Sequence, residues 1–95
     1  MPKGYLVAHV RVHDAARFEE FKKMSGPAIA DYGGKVLVRN PEIDHREGAA
    51  QGLCIVIEFD SLDQARRFYE SDAYSAARQV RETAAETDLL LVEGL

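Results

Sequence analysis

Four short segments of the chain carry apolar residues in patterns typical of strands. In residues 5–12 every second position from Leu6 onward is apolar, the two-residue period of a strand that buries one face. Residues 35–40 and 53–59 alternate in the same way, and residues 88–93 contain a run of four apolar side chains. The pattern therefore predicts four strands.

A first helix is predicted between the first two strands. Asp14 suits its N-cap, and Ala15, Phe18, Phe21 and Lys22 recur at helical spacing. Proline has no N–H to donate to a helix, so Gly26-Pro27 is expected to break it, with a further turn over residues 28–32. Gly33-Gly34 is expected to end it with a positive φ.

A second helix follows the third strand. Ser61 and Gln64 match the S-x-x-Q capping box, which satisfies two free donors at a helix start. Ser71-Asp72 is expected to restart this helix after a break. Its apolar stripe is formed by Leu62, Ala65, Phe68, Tyr69, Tyr74, Ala77, Val80 and Ala84.

The order of these elements is β-α-β-β-α-β, which defines an α+β, ferredoxin-like arrangement of two split βαβ units. Right-handed crossovers place both helices on one face of a four-stranded antiparallel sheet. The length of 95 residues allows one domain, which we assign to residues 1–95.

The face of the sheet turned away from the helices is the informative one. Alternation predicts that the helices cover Leu6, Ala8, Val10, Val36, Val38, Ile55, Ile57, Leu90 and Val92. The opposite face would then expose an apolar patch made of Val7, Leu37, Val56, Leu89 and Leu91. Such a patch is typical of an interface, and a second copy packed sheet against sheet would bury it. The alternative is a monomer with a half-exposed face.

Composition excludes several classes of function. The chain carries 12 Lys and Arg against 16 Asp and Glu, a net charge of −4, which gives no reason to expect a nucleic-acid partner. No apolar run approaches the length that spans a membrane. A single cysteine cannot form an internal disulfide, so we expect a cytoplasmic protein without a membrane or nucleic-acid partner.

Three ionisable residues are the candidate catalytic group. His9, Arg39 and Glu58 are predicted to point into the space beside the open face of the sheet. A histidine beside a carboxylate can act as an acid or base near neutral pH, and an arginine can hold an anion through two hydrogen bonds. The alternative is a structural network in which these charges pair with one another.

No spacing in the chain indicates a metal or cofactor site. The residues that could in principle ligate a metal are His13, Asp14, Asp44, His45 and Glu47. They match no known ligand pattern, and we expect neither a metal nor a tightly bound cofactor. Residues 41–52 form a long polar connection that could serve as a lid over a pocket.

Several ordered blocks of the chain resemble the family called domain of unknown function 1330. The blocks are Gly4-Tyr5, residues 32–39 (YGGKVLVR), Glu47-Gly48, residues 56–61 (VIEFDS), residues 68–74 (FYESDAY), Arg81 and residues 88–94 (DLLLVEG). The resemblance covers essentially the whole chain. It implies a ferredoxin-like domain that pairs into a dimeric α+β barrel, in a superfamily that includes cofactor-independent monooxygenases, isomerases and ligand-binding proteins.

The resemblance also supplies candidate ligand-binding positions. It points to the polar residues Tyr32, Glu47, Tyr69, Ser71, Tyr74 and Arg81. We add Tyr5 of the first strand to these candidate ligand-binding residues. We therefore expect a homodimer that binds a small, partly apolar, anionic molecule in a pocket beside the sheet. The alternatives are a cofactor-independent enzyme of monooxygenase or isomerase type that uses His9, Arg39 and Glu58, and a scaffold whose polar groups are structural.

Overall fold

The structure, a computed structural model, describes residues 2–49 and 51–95 and consists of one sheet and three helices. The elements are β1 (Gly4–Val12), α1 (Ala15–Asp31), β2 (Lys35–Asn40), β3 (Leu53–Phe59), α2 (Leu62–Glu70), α3 (Asp72–Ala84) and β4 (Ala85–Glu93). The strands are antiparallel in the order β2-β3-β1-β4, which confirms the ferredoxin-like prediction. Met1 of the predicted domain and Ala50 of the predicted 41–52 connection lie outside the described residues.

The second helix is divided into α2 and α3 at Ser71, where the sequence predicts a restart. Ser71 Oγ donates to Phe68 O (2.7 Å) at the end of α2 and accepts from Tyr74 N (3.2 Å) at the start of α3. One hydroxyl group thereby binds a carbonyl at the end of α2, which also accepts from Ser71 N at 3.2 Å, and a free amide at the start of α3.

The predicted capping box at Ser61 is half formed. Ser61 Oγ accepts from Gln64 N at 3.0 Å, as predicted. The Gln64 side chain does not complete the box, since its Nε2 donates to Tyr32 O (3.1 Å) at the end of α1. This hydrogen bond joins the two halves of the fold. The first helix ends at Asp31, and Gly33, two residues later, has the left-handed φ of 70° expected from the sequence.

The predicted break at Gly26-Pro27 is wrong, because α1 continues through both residues to Asp31. The helix buries Phe21, Ser25 and Ala28 on one side, and its main packing partner is α3. Pro27 has no N–H to donate to the carbonyl group of Lys23, but Lys23 is exposed, so this carbonyl can bind water instead. Packing therefore outweighs the cost of about 3 kcal/mol of a proline inside a helix.

The core lies between the helices and the sheet face that carries Leu6, Ala8 and Val10. Its centre is aromatic: the ring of Phe68 lies 5.1 Å from that of Phe59 and 4.5 Å from that of Tyr74, measured between centroids. The predicted core positions of β1 and β3 are confirmed, since Leu6 faces Ile57 and Ala8 faces Ile55 across the two strands.

The predicted orientation of β4 is wrong. Leu6 pairs with Leu91 and Ala8 pairs with Leu89, so these two leucines face the helices, while Leu90 and Val92 lie on the open face. Four consecutive apolar residues show no alternation, so the sequence contained no signal that distinguished the two faces.

The predicted orientation of β2 is correct at Val36 and wrong at Val38 and Arg39. The pairing of β2 with β3 shifts between Val36 and Val38, so that Val38 opposes Val56 and Arg39 opposes Ile55. An extra residue in a strand reverses the alternation of all residues after it. Val38 therefore lies on the open face, and Arg39 lies on the face that is turned toward the helices.

Candidate active site between α1 and the sheet

A cavity of about 60 Å³, measured as the volume open to the centre of a water molecule, separates α1 from the sheet. It is lined by all four strands together with α1 and α3, and most of its wall is apolar. The polar side chains that line it are Lys22, Ser25, Arg39, Tyr74, Arg81 and Thr87. A volume of this size accommodates several waters or part of a small organic molecule.

One end of the cavity opens to solvent beside β2. Val36 and Arg39 both line the cavity and are exposed, with 40% of Val36 accessible. Three other polar lining residues lie away from β2: Arg81 and Tyr74 of α3, which are buried, and Thr87 of β4, the strand at the far edge of the sheet. We call these two regions the mouth and the inner end of the cavity.

Arg81 and Tyr74 form a buried pair at the inner end. They lie two turns apart on α3, and they are 7% and 3% exposed. Arg81 Nη1 donates a hydrogen bond of 2.6 Å to Tyr74 Oη. The guanidinium carbon also lies 5.8 Å from the ring centroid of Phe21, so an aromatic face of α1 partly compensates the buried charge.

Two of the lining residues each have a buried polar atom without a hydrogen-bond partner among the described residues. These atoms are Arg81 Nε and Thr87 Oγ1. Within the same residues no carboxylate lines the cavity, and no ion pair includes Arg81. A buried charge without a counter-charge is costly, so the inner end is electrostatically suited to an anion.

Tyr74 is held in its neutral form. Burial raises the pKa of the Tyr74 phenol above its ordinary value of 10.0, and this effect exceeds the opposing influence of the Arg81 cation. An arginine N–H can only donate, so the Tyr74 oxygen is the acceptor of the hydrogen bond and its own proton remains available. The phenol can therefore donate to a molecule in the cavity.

Two further cations line the cavity. Arg39 is exposed at the mouth, whereas Lys22 is half-buried and its Nζ pairs with Glu19 Oε1 at 2.7 Å. The local charge of the cavity is therefore positive, although the whole chain carries −4. An approaching anion meets a favourable field at this opening.

The three candidate catalytic residues are not brought together in one protomer. His9 and Glu58 lie on the open face, whereas Arg39 lies on the opposite face and lines the cavity. The expectation that Arg39 shares their face is wrong, because the irregularity in β2 reverses its direction. On the open face Tyr5 Oη donates to Glu58 Oε2 at 3.0 Å, and His9 lies between Cys54 and Asp88 on the neighbouring strands.

The predicted ligand-binding residues divide in a similar way. Tyr74 and Arg81 line the cavity, whereas Tyr5 lies on the open face. Tyr32 packs edge-on against Phe68, and Ser71 caps two helices. The remaining two lie outside the cavity wall: Tyr69 Oη accepts from Arg78 Nη1 at 3.2 Å, and Glu47 is exposed in the connection between β2 and β3.

Three polar lining residues were missed by the sequence analysis as site residues. Lys22 and Ser25 lie on the buried side of α1, and a lysine at the spacing of Phe18 and Phe21 was the available signal. No pattern in the sequence indicated that Thr87 lines a cavity, because the last strand was predicted to begin at Asp88. In the structure this strand begins at Ala85.

Two other features, a metal-binding cluster and a membrane-spanning helix, are absent from the described residues. No group of three or more histidine, cysteine or acidic side chains is arranged to hold a metal ion in residues 2–49 and 51–95. In the same ranges no helix combines the length and the apolar character needed to cross a membrane.

Comparison with known proteins identifies the family. The sequence profile of the domain of unknown function 1330 (DUF1330) family matches residues 3–95. The chain belongs to the DUF1330 family. Among curated protein sequences no relative matches it. The resemblance inferred from the ordered sequence blocks is thereby confirmed.

Solved structures share the fold of this DUF1330 protein at low sequence identity. A protein of unknown function from Rhodopseudomonas palustris superposes with a TM-score of 0.80 at 18% identity, over 99% of this chain and 83% of the other. SnoaB, a cofactor-independent oxygenase from Streptomyces nogalater, gives 0.70 at 13% identity, over 97% and 92%. A dimeric ferredoxin-like protein of unknown function from Bacteroides fragilis gives 0.63 at 14% identity, over 96% and 95%. These likenesses establish the ferredoxin-like fold.

Proposed function

We propose that this protein is a homodimer that binds a small, partly apolar, anionic molecule in the cavity between α1 and the sheet. The observation that carries the proposal is the buried Arg81, whose Nε lacks a hydrogen-bond partner at the inner end of an otherwise apolar cavity. A bound anion would supply the missing counter-charge. The apolar wall would hold the rest of the molecule.

The proposed ligand can be tested with protein purified gently from its own host. Small molecules released on denaturation are compared by mass spectrometry between the wild type and Arg81→Met, with Arg66→Met of the exposed surface of α2 as the matched control. We expect an acid that is enriched on the wild type and on the control but is lost from Arg81→Met. Equal recovery from all three proteins, or no released molecule, would contradict the proposal.

The homodimer is supported by the pattern of side chains on the open face. One row across the sheet, formed by Val38, Val56, Val7 and Leu90, is entirely apolar, and we call it the apolar row. Leu90 is 54% exposed in the single protomer. The two neighbouring rows are mostly polar, so a second copy placed face to face would bury an apolar seam between polar margins. The similar Bacteroides fragilis protein is itself dimeric.

A matched pair of substitutions tests the dimer. Leu90→Lys places a charge in the apolar row, whereas Val12→Lys places it at an exposed valine at the end of β1, outside that row. In sedimentation experiments we expect Leu90→Lys to shift the protein to a monomer and Val12→Lys to leave a dimer. A wild-type monomer, or a dimeric Leu90→Lys, would contradict the proposed interface.

A reaction on the bound molecule, of cofactor-independent monooxygenase or isomerase type, is the second candidate. Tyr74 favours it, because its available phenol proton faces the cavity beside a fixed cation. His9 and Glu58 lie on the other side of the sheet, so within one protomer they would not reach a ligand there. An isomerisation moves a proton, so deuterium exchange into the recovered acid tests it: turnover should disappear in Tyr74→Phe while the acid remains bound.

The same proposal places the protein in the cytoplasm without a nucleic-acid or membrane partner. Cys54 is free, and the net charge of −4 disfavours a phosphate backbone. Cell fractionation tests the location, and recovery in the membrane or secreted fraction would contradict it.

A further inference from the structure

The unused hydrogen-bonding groups at the inner end define the chemistry of the ligand more narrowly than its charge alone. Arg81 donates a hydrogen bond from Nη1 to Tyr74 Oη, and its Nε has no hydrogen-bond partner among the described residues. In a guanidinium group the Nε–H and one Nη2–H point in the same direction and match the two oxygens of a carboxylate. The free edge of Arg81 is therefore the edge that binds a carboxylate through two hydrogen bonds.

One further hydroxyl group at the inner end can donate to an acceptor on this edge. Tyr74 Oη accepts from Nη1, on the side of the guanidinium group away from the edge, whereas Thr87 Oγ1 is buried without a partner. Thr87 lies on β4 opposite Val10, between the apolar Ala85 and Leu89 on the same face of the strand. An unsatisfied buried hydroxyl is unfavourable unless a ligand or a water completes it.

The number of charges favours a single negative charge on the ligand. Arg81 is the buried cation of the cavity, whereas Lys22 already pairs with Glu19 and Arg39 is exposed at the mouth. One carboxylate balances one buried guanidinium. A phosphate monoester carries a charge of roughly −1.5 to −2 at neutral pH and would leave an excess in an apolar cavity.

We propose that the ligand is a monocarboxylic acid that enters with its carboxylate first and binds it to Arg81 and Thr87, while Tyr74 holds the guanidinium group in place from its other side. This inference rests on the proposed function, and it adds the substrate class, the orientation of the molecule and Thr87 as a binding residue. The apolar part of the acid lies against Phe18 and Phe21 of α1 and points toward the mouth.

The test uses butyrate and its neutral isostere butyramide as probes of the dimeric, full-length protein. Arginine side chains are labelled with ¹⁵N, and the Arg81 Nε–H resonance is followed during titration. We expect butyrate to shift this resonance and to bind about 10-fold or more tightly than butyramide, since hydrogen bonds to charged groups are stronger than neutral ones. Inorganic phosphate is expected to leave the resonance unchanged.

Variants of Thr87 separate its hydroxyl from its place in the fold. Thr87→Val keeps the shape of the side chain and should weaken butyrate about 5- to 10-fold, whereas Thr87→Ser keeps a hydroxyl and should restore most of the affinity. Thr83→Val, on the exposed end of α3, serves as the control and should bind butyrate normally.

The outcomes distinguish this inference from the proposed function. Equal binding of butyrate and butyramide, or an Arg81 resonance that moves only with phosphate, would overturn the monocarboxylate while a ligand-binding cavity remained. If Thr87→Val bound butyrate with wild-type affinity, Thr87 would not be a binding residue. No response of the Arg81 resonance to any probe, combined with no molecule released from the host-purified protein, would overturn both proposals.

Discussion

Arg81 Nη1 donates a hydrogen bond of 2.6 Å to Tyr74 Oη across two turns of α3. The tyrosine oxygen must be the acceptor, because a guanidinium group has no lone pair to offer. The phenol proton and Arg81 Nε are thereby left as donors at the inner end of the cavity. An apolar cavity that presents donors and a positive charge selects for an acceptor that carries negative charge.

Replacement of Arg81 by methionine should separate stability from binding. The side chain is buried without a counter-charge, and apolar replacements of buried charges are often neutral or stabilising. We therefore expect Arg81→Met to unfold in urea at the wild-type concentration or above it. At about tenfold excess over Kd, butyrate should stabilise the wild type by ~1.4 kcal/mol and have no effect on the variant.

The control for this experiment is Arg66→Met on the exposed face of α2, which should respond to butyrate like the wild type. A large loss of stability in ligand-free Arg81→Met would show that Arg81 is a structural residue. Retained stabilisation by butyrate would show that the anion binds elsewhere.

Tyr74 should make the stability of the protein sensitive to alkaline pH. Burial raises its pKa in the folded state above the ordinary value of 10.0. The stability that comes from this difference is complete below pH 10, and it is lost as the pH rises through the folded pKa, because the unfolded chain ionises first. We expect the free energy of unfolding to fall more steeply above pH 10 in the wild type than in Tyr74→Phe.

Absorbance of the phenolate provides the direct measurement of that titration. The difference between the wild-type and Tyr74→Phe curves should show a group that ionises above pH 10 and only near the unfolding transition. Identical stability profiles for the two proteins, or a difference curve centred below pH 10, would be inconsistent with a buried neutral phenol.

Arg39 should act on the approach of the ligand more than on its final affinity. It is exposed at the mouth, where its charge is screened by salt, whereas Arg81 is buried. Arg39→Gln should slow association of butyrate and make its rate less dependent on ionic strength, with little change in the dissociation rate. Arg66→Gln removes the same charge from α2 and should leave both rates unchanged. A change confined to the dissociation rate would place Arg39 in direct contact with the bound molecule.

Phe68 should be a principal determinant of stability. Its ring is 0% exposed and contacts the rings of Phe59, Tyr32 and Tyr74. Phe68→Ala should lower the free energy of unfolding by about 3–5 kcal/mol, measured by urea denaturation. Leu95→Ala, at the exposed end of the chain, should change it little. A loss below about 1 kcal/mol in Phe68→Ala would contradict the aromatic core.

The fold could be predicted wherever local chemistry and hydrophobic period agree. Ser61, Ser71 and Gly33 mark helix ends through interactions with residues a few positions away, and all three act as expected. Pro27 shows the limit of local rules, because packing of α1 against α3 keeps the helix continuous.

The orientation of two strands could not be predicted, because it depends on pairing with distant residues. Leu89 and Leu90 are chemically equivalent, and only the register with β1 places one inside and the other outside. The shift between Val36 and Val38 leaves no mark in the sequence, yet it decides which face carries Arg39.

The candidate site was predictable where the resemblance to the family singled out a polar position on α3. Arg81 and Tyr74 were named from the sequence, and both line the cavity. Thr87 was not, because its position depends on where β4 begins. The grouping of His9 and Glu58 with Arg39 failed for the same reason as the orientation of β2.

Native mass spectrometry of the wild-type protein, purified gently from its own host, tests the central claim most directly. We predict a mass of twice the chain plus bound molecules, and release on activation of a small acid that is absent from Arg81→Met prepared in the same way. A bare monomer in the wild type would contradict both the pairing through the apolar row and the occupied cavity.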